Sequence, residues 1–324
     1  MFLFPDNIYV SAGISCVIGV FVPFIFTVSR DCFHKQLVLK RRRGLYRVFS
    51  RFYNLIFACA SVCHWRSLWI LLDYWLGFSY SSAFGCISFG LIGLTSLKCL
   101  RNSVFSPLYV ARDFKEGIFV FHTMFDIHAR NDLKVCFCDA IFGIVIVGYL
   151  IVFLWRGTFC LLDVALLPEN LEVSARFSVV IGYSISVSAI FLQWPISSLA
   201  EISKGGRRIM VLNCLTLFAY AGSVITWRGF WNIYPSAILP DDPLKSNLVM
   251  AITGFGSLSF LDAAQSAITK GVYTDGMEPG GEPAFLAYQY LDFQEHNKKE
   301  DKSNYKPCSS IDDDEVLIER LSVV

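Results

Sequence analysis

Seven apolar stretches, separated by short polar or charged segments, occupy most of the first 270 residues: roughly 8–29, 46–64, 80–98, 135–154, 175–194, 209–227 and 247–269. Each is close to the ~20 residues a helix needs to cross the hydrocarbon core of a bilayer. The pattern predicts an all-α, polytopic membrane helix bundle of seven transmembrane helices, or eight if a further crossing lies in 98–134 or around a turn. The run GIFVFHTMF inside that segment is too short to span by itself. No Lys or Arg precedes the first stretch and no small-residue cleavage site follows it, so it reads as a retained span rather than a signal peptide.

Within this pattern one element recurs. A tryptophan and an arginine close an apolar run three times, in HWRSLWILLD (64–73), LWRGTFCLLD (154–163) and TWRGFWNIYP (226–235). Trp65, Trp155 and Trp227 lead and Arg66, Arg156 and Arg228 follow. A small residue comes next (Ser67, Gly157, Gly229), and an aromatic holds the fifth position (Trp69, Phe159, Trp231). Two copies end on an acid, Asp73 and Asp163; the third has Pro235 there. Each copy precedes a second apolar run, so the chain reads as three repeated WRG hairpins, an internal repeat that governs any architecture drawn from it. The domain reading is a first span at 1–29, a basic loop at 30–51, a repeated-hairpin bundle over 46–269 and a tail at 270–324.

Composition agrees with a bilayer setting. Hydrophobic residues make up 54% of the chain and charged ones 17%, with a mean hydropathy of +0.50, far from a soluble domain. Lys and Arg are unevenly placed: 23 of 28 lie in 30–51, 98–134, 201–208 and 270–324. Basic residues collect in cytoplasmic loops, which places the amino terminus outside and the tail in the cytosol. KRRRG at 40–44 would also attract anionic headgroups.

This orientation puts all three Trp-Arg turns at the outer interface. One reading is plain anchoring, because tryptophan favours the headgroup level and arginine can snorkel there. Anchoring alone requires neither a small residue after each arginine nor an acid seven positions later. Arg66 and Asp73 are about two helical turns apart, too far for a close pair, so an arginine could instead meet the acid of a neighbouring repeat. The expectation is a structural polar layer of Trp65, Arg66, Asp73, Trp155, Arg156, Asp163, Trp227 and Arg228, with recognition of a ligand or ion as the alternative. Asp262, which interrupts the last run in SFLDAAQSAIT, is a candidate intramembrane polar site, although a place near the cytoplasmic end fits as well.

Other chemistry is sparse. Cys136 and Cys138 have no second Cys/His pair beside them, so no metal site is expected. Cys63 and Cys160 fall near outer turns, where oxidation is chemically open, and most cysteines sit in apolar runs as small hydrophobes. No phosphate loop, nucleophile elbow or HExxH helix occurs. No enzyme activity, cofactor or nucleic-acid partner is expected. The tail turns polar, with a charged run at 295–306 and DDDE at 312–315, a composition that predicts disorder. Its final residues, Ser322, Val323 and Val324, match a PDZ-type ligand that adds to a sheet edge.

The repeated WRG turns followed by LLD, over roughly 45–270, resemble the fuseless family of invertebrate membrane proteins. WRGTFCLLD and TWRGFWN carry the likeness, and Ser67 departs from it. The resemblance implies a multi-pass presynaptic membrane protein that helps localise voltage-gated calcium channels and supports synaptic transmission, with channel or active-zone proteins as partners. Two other classes compete. A seven-span chemoreceptor fits the topology, but LKCLRNS stands where a DRY-like triplet would follow the third span. A transporter could use Asp262, yet the three hairpins share one orientation, unlike an inverted repeat.

Overall fold

The computed structural model describes residues 7–33, 43–108, 113, 124–125, 133–267 and 271–276, all within the compact unit that runs to Leu286. Its helices are α1 (Ile8–Phe33), α2 (Arg43–Leu76), α3 (Tyr80–Ser96), α4 (Leu133–Ile141), α5 (Gly148–Ala165), α6 (Leu171–Ile202), α7 (Gly206–Ala237) and α8 (Pro243–Phe260). A π-helical segment, Phe142–Val147, joins α4 and α5 into one rod. Each of the seven apolar stretches therefore contains helix, the last of them only to Phe260. Among the described residues five helical segments are long and apolar enough to cross a membrane: Ile8–Arg30, Val48–Leu76, Phe137–Ala165, Leu171–Ile202 and Gly206–Tyr234.

Three antiparallel pairs build the bundle, α1 with α2, α3 with α5, and α6 with α7. α5 lies at the centre, where Leu150, Ile151, Leu154 and Trp155 pack with Leu94, Ala219, Tyr220 and Val224. Outward faces carry exposed Phe21, Phe52, Val62, Ile92, Val180 and Phe191, as expected of surfaces whose solvent is lipid. The end holding residues 7, 77–79, 166–170 and 238–242 is called the upper end below; α3 and α8 finish at the lower end.

Two expectations need correction. Spans thought to stop at the Trp-Arg pairs continue as helix for about three turns more, so the pairs lie inside α2, α5 and α7 and not at hairpin turns. Nothing in WRSLWILLD or WRGTFCLLD breaks a helix, and the arginines find partners inside the bundle. Termination comes eleven residues after each arginine, at Gly77, Leu167 and Leu239, all with positive φ (59°, 48° and 47°), a left-handed helix stop. The second correction concerns the start of the segment 98–134, expected to be a cytoplasmic loop. It folds up into the bundle through a 3-10 turn, Leu100–Ser103, burying Leu100, Ser103, Val104 and Leu108. Irregular backbone is tolerated at membrane depth when protein surrounds it.

Candidate functional site: arginine clamps around an aromatic collar

The first helix of each pair carries one repeated sequence: SAGISCVIG at 11–19 in α1, SAFGCISFG at 82–90 in α3 and SARFSVVIG at 174–182 in α6. Its Ser, Ser or Cys, and Gly recur every fourth residue and so line one helix face. The glycine lets the second helix approach closely. A Cβ on Gly182 would come within 2.5 Å of the Thr226 backbone nitrogen, and one on Gly229 within 2.8 Å of that of Val179.

The repeated arginine grips the two residues above that glycine. Arg66 donates to Ser15 Oγ at 2.7 Å and Ser11 Oγ at 2.8 Å. Arg228 donates to Ser178 Oγ at 2.7 Å and Ser174 Oγ at 3.0 Å, and through Nε to Asp163 at 2.7 Å. Arg156 donates to Ser82 Oγ and the Gly77 carbonyl, lies 3.6 Å from Cys86 Sγ, and reaches Asp73 through Nε at 3.0 Å. Both acids belong to the preceding pair: Asp73 ends α2 and meets the arginine of α5, while Asp163 ends α5 and meets the arginine of α7. Arg156 and Arg228 are 1% and 0% exposed. A guanidinium so buried is tolerable when its charge is paired and its donors are used. Each lies eleven residues, about 16 Å along the axis, below its helix stop.

The tryptophans turn the other way, toward the infolded segment. Trp65 and Trp155 meet edge to face at 5.3 Å, and Phe105 stands 5.3 Å from both. Trp155 is 6.4 Å from Trp227. Trp155 Nε1 donates to the Ser103 carbonyl at 2.9 Å, Trp227 Nε1 to that of Ser106 at 2.8 Å, and Ser223 Oγ to that of Phe105 at 2.7 Å. Three copies of one residue thus form a collar around the infolded segment, and two of them, Trp155 and Trp227, satisfy its carbonyls. Trp155 is 3% exposed and so belongs to the core, not to an interface belt.

Asp262 lies outside the helices. α8 ends at Phe260, well short of the expected 269, because Asp262 adopts positive φ (52°) and its side chain, 63% exposed, pairs with Arg51. Arg51 also pairs with Asp113, which accepts the Ala264 and Gln265 amides at 3.1 and 2.9 Å. The carboxylate on which a transport reading rested is therefore part of a lower-end staple. A second staple closes beside it. Asp275, 4% exposed, accepts the Leu100 and Arg101 amides at 2.9 Å each, and Asn102 exchanges two 2.8 Å bonds with the Tyr273 backbone. Residues 271–276, assigned to the tail by composition, are thus packed under the infolded loop with Val272 in the core. Ser322, Val323 and Val324 lie outside the described residues.

A cavity of about 100 Å³ separates α1, α2 and the π segment, with Thr27, Ser61, His64 and Asp139 among its lining residues. Among the described residues no cluster could hold a metal ion, and Cys63 and Cys160 are free thiols. The serines of the clamps lie outside the Trp-Arg repeat, and the signal that marks them is their own SAxx(S/C)xxxG recurrence. The Fuseless family model matches residues 1–268. No curated protein and no solved structure matches the chain.

Proposed function

Since this chain belongs to the Fuseless family, we propose that it is a non-enzymatic membrane organiser that localises voltage-gated calcium channels at presynaptic membranes and so supports synaptic transmission. The family match over residues 1–268 is the observation that carries this reading. The clamps accord with it, because fully engaged arginines and a filled aromatic collar suit a rigid scaffold better than a reacting centre. In this proposal the amino terminus is outside and the cytoplasmic tail engages active-zone proteins, Ser322–Val324 docking on a PDZ-type scaffold.

The test is proximity labelling from the tail in native cells, paired with imaging of the channel after loss of the protein. Recovery of channel or active-zone proteins, with channel displaced from release sites, is the expected result. Normal channel placement together with recovery of G-protein machinery alone would overturn it.

A further inference from the structure

The cavity between α1, α2 and the π-helical segment carries chemistry that neither the clamps nor the collar use. His64 lies near the middle of the span Val48–Leu76 and Gly19 near the middle of Ile8–Arg30, so this space sits at membrane depth. Its volume is about 100 Å³. An apolar cavity of ~150 Å³ takes benzene, and one water molecule's share of the liquid is ~30 Å³. The space therefore suits one solute of about four or five heavy atoms, or about three waters.

Four polar side chains of its wall have only acceptor capacity to offer. His64 is 6% exposed, and its Nε2 has no hydrogen-bond partner among the described residues. The ring is held by stacking on Tyr149 at 4.4 Å and by a hydrogen bond to the Ile144 backbone. That bond uses the other ring nitrogen, so in the neutral imidazole the lone pair is on Nε2. Gly148, which lines the same cavity, leaves room beside it: a Cβ there would lie 3.3 Å from Nε2. Thr27 spends its hydroxyl proton on the Pro23 carbonyl at 2.8 Å and Ser61 on that of Phe57 at 2.9 Å, which leaves their lone pairs. Asp139 accepts the Met124 amide at 2.7 Å. Asn102 also borders the space, but its amide group is taken up by Cys99 and Tyr273.

These groups define a guest. It donates a hydrogen bond, because a buried acceptor such as His64 Nε2 is costly to leave unmet. It is neutral, because Asp139 already faces the charge of Arg30 and a cation would enter the membrane interior without a counter-ion of its own. It carries carbon, because Phe57, Phe105, Ile151 and Val272 stand in the rest of the wall and water alone would leave that apolar surface wetted. An apolar lining with a few placed polar groups is the usual make-up of a small-molecule site, and π-helical turns recur at functional sites. We propose that this cavity is a binding site for a small neutral alcohol, one hydroxyl on a short alkyl body, with the hydroxyl donating to His64 Nε2.

The test uses the full chain in nanodiscs, photolabelled with a diazirine analogue of butanol and mapped by peptide mass spectrometry. Labelling should saturate and fall on α1, α2 and the π-helical segment around the cavity. Butanol and diethyl ether share one formula and a comparable hydrophobicity, but only the alcohol can donate. Butanol should compete with the label about tenfold better than the ether, the effect of one buried hydrogen bond. His64→Phe, which keeps a ring against Tyr149, should abolish that preference, and Ser61→Leu, which fills the space, should remove the saturable labelling. Melting temperatures identify the variants that still fold, and the comparison of alcohol with ether stands on the wild type alone. Equal competition by the two, a preference that survives in folded His64→Phe, or labelling that never saturates and spreads over lipid-facing positions, as for a cavity holding water only, would overturn the proposal.

Discussion

The two ends of this bundle solve the same problem, satisfying polar groups away from water, by opposite means. Toward the upper end the work is done by side chains in register: an arginine, two small polar residues four apart, and an acid from the pair before. At the lower end it is done by aspartates that each accept two successive backbone amides, Asp275 for Leu100 and Arg101, Asp113 for Ala264 and Gln265. The first device can be copied along a chain because it depends on helix periodicity alone. The second cannot, because it fixes one irregular segment to another.

Substitutions can separate the two. The largest effect is expected for Asp163→Asn, which leaves the fully buried Arg228 without its counter-ion; a loss of about 3 kcal/mol follows, read as a fall in thermal stability in detergent. The double variant Asp163→Asn with Arg228→Met should recover more than half of that loss, and failure to do so would show that the pair is not a unit. Next, Asp275→Ala leaves two buried amides unmet, at about 2 kcal/mol. Its hydrogen exchange should rise in 97–108 and leave α6 and α7 protected; uniform loss of protection would merge the two ends into one cooperative unit. Ser178→Ala removes one charged hydrogen bond of the upper clamp, at about 1.5 kcal/mol, with Cys86 of the neighbouring unit already marking that position as tolerant. The smallest effect belongs to Asp262→Asn, an exposed partner of Arg51, at about 0.5 kcal/mol or less; a large loss would restore Asp262 to a buried role.

The same contrast explains what could be read from the chain beforehand. The all-helical class followed from runs of apolar residues, and the Trp-Arg copies were conspicuous because two rare residues recurred together. That Arg156 would seek Asp73, and Arg228 Asp163, was within reach of helix geometry, since the acid seven residues on is too far from its own arginine. Helix ends were legible too, though unused: Leu167 and Leu239 stop their helices in positive φ, and each is followed directly by a proline, Pro168 and Pro240, which cannot continue a helix. The infolding of 97–108 was hidden altogether. Lys98 and Arg101 gave that segment the look of a solvent loop, while the Trp155 and Trp227 donors that hold it lie more than fifty residues away.

The offset between neighbouring pairs also orders assembly in time. Every partner described for the three clamp arginines is synthesised before them: Ser11 and Ser15 before Arg66, Asp73 and Ser82 before Arg156, Asp163, Ser174 and Ser178 before Arg228. As the chain leaves the ribosome, each cation thus enters a membrane that already holds its receptor. The acids that must wait, Asp73 and Asp163, sit one turn from a helix end, where water can serve them meanwhile. Vectorial synthesis and the pairing scheme run in the same direction, so no clamp arginine has to linger uncompensated in lipid for a sequence not yet made.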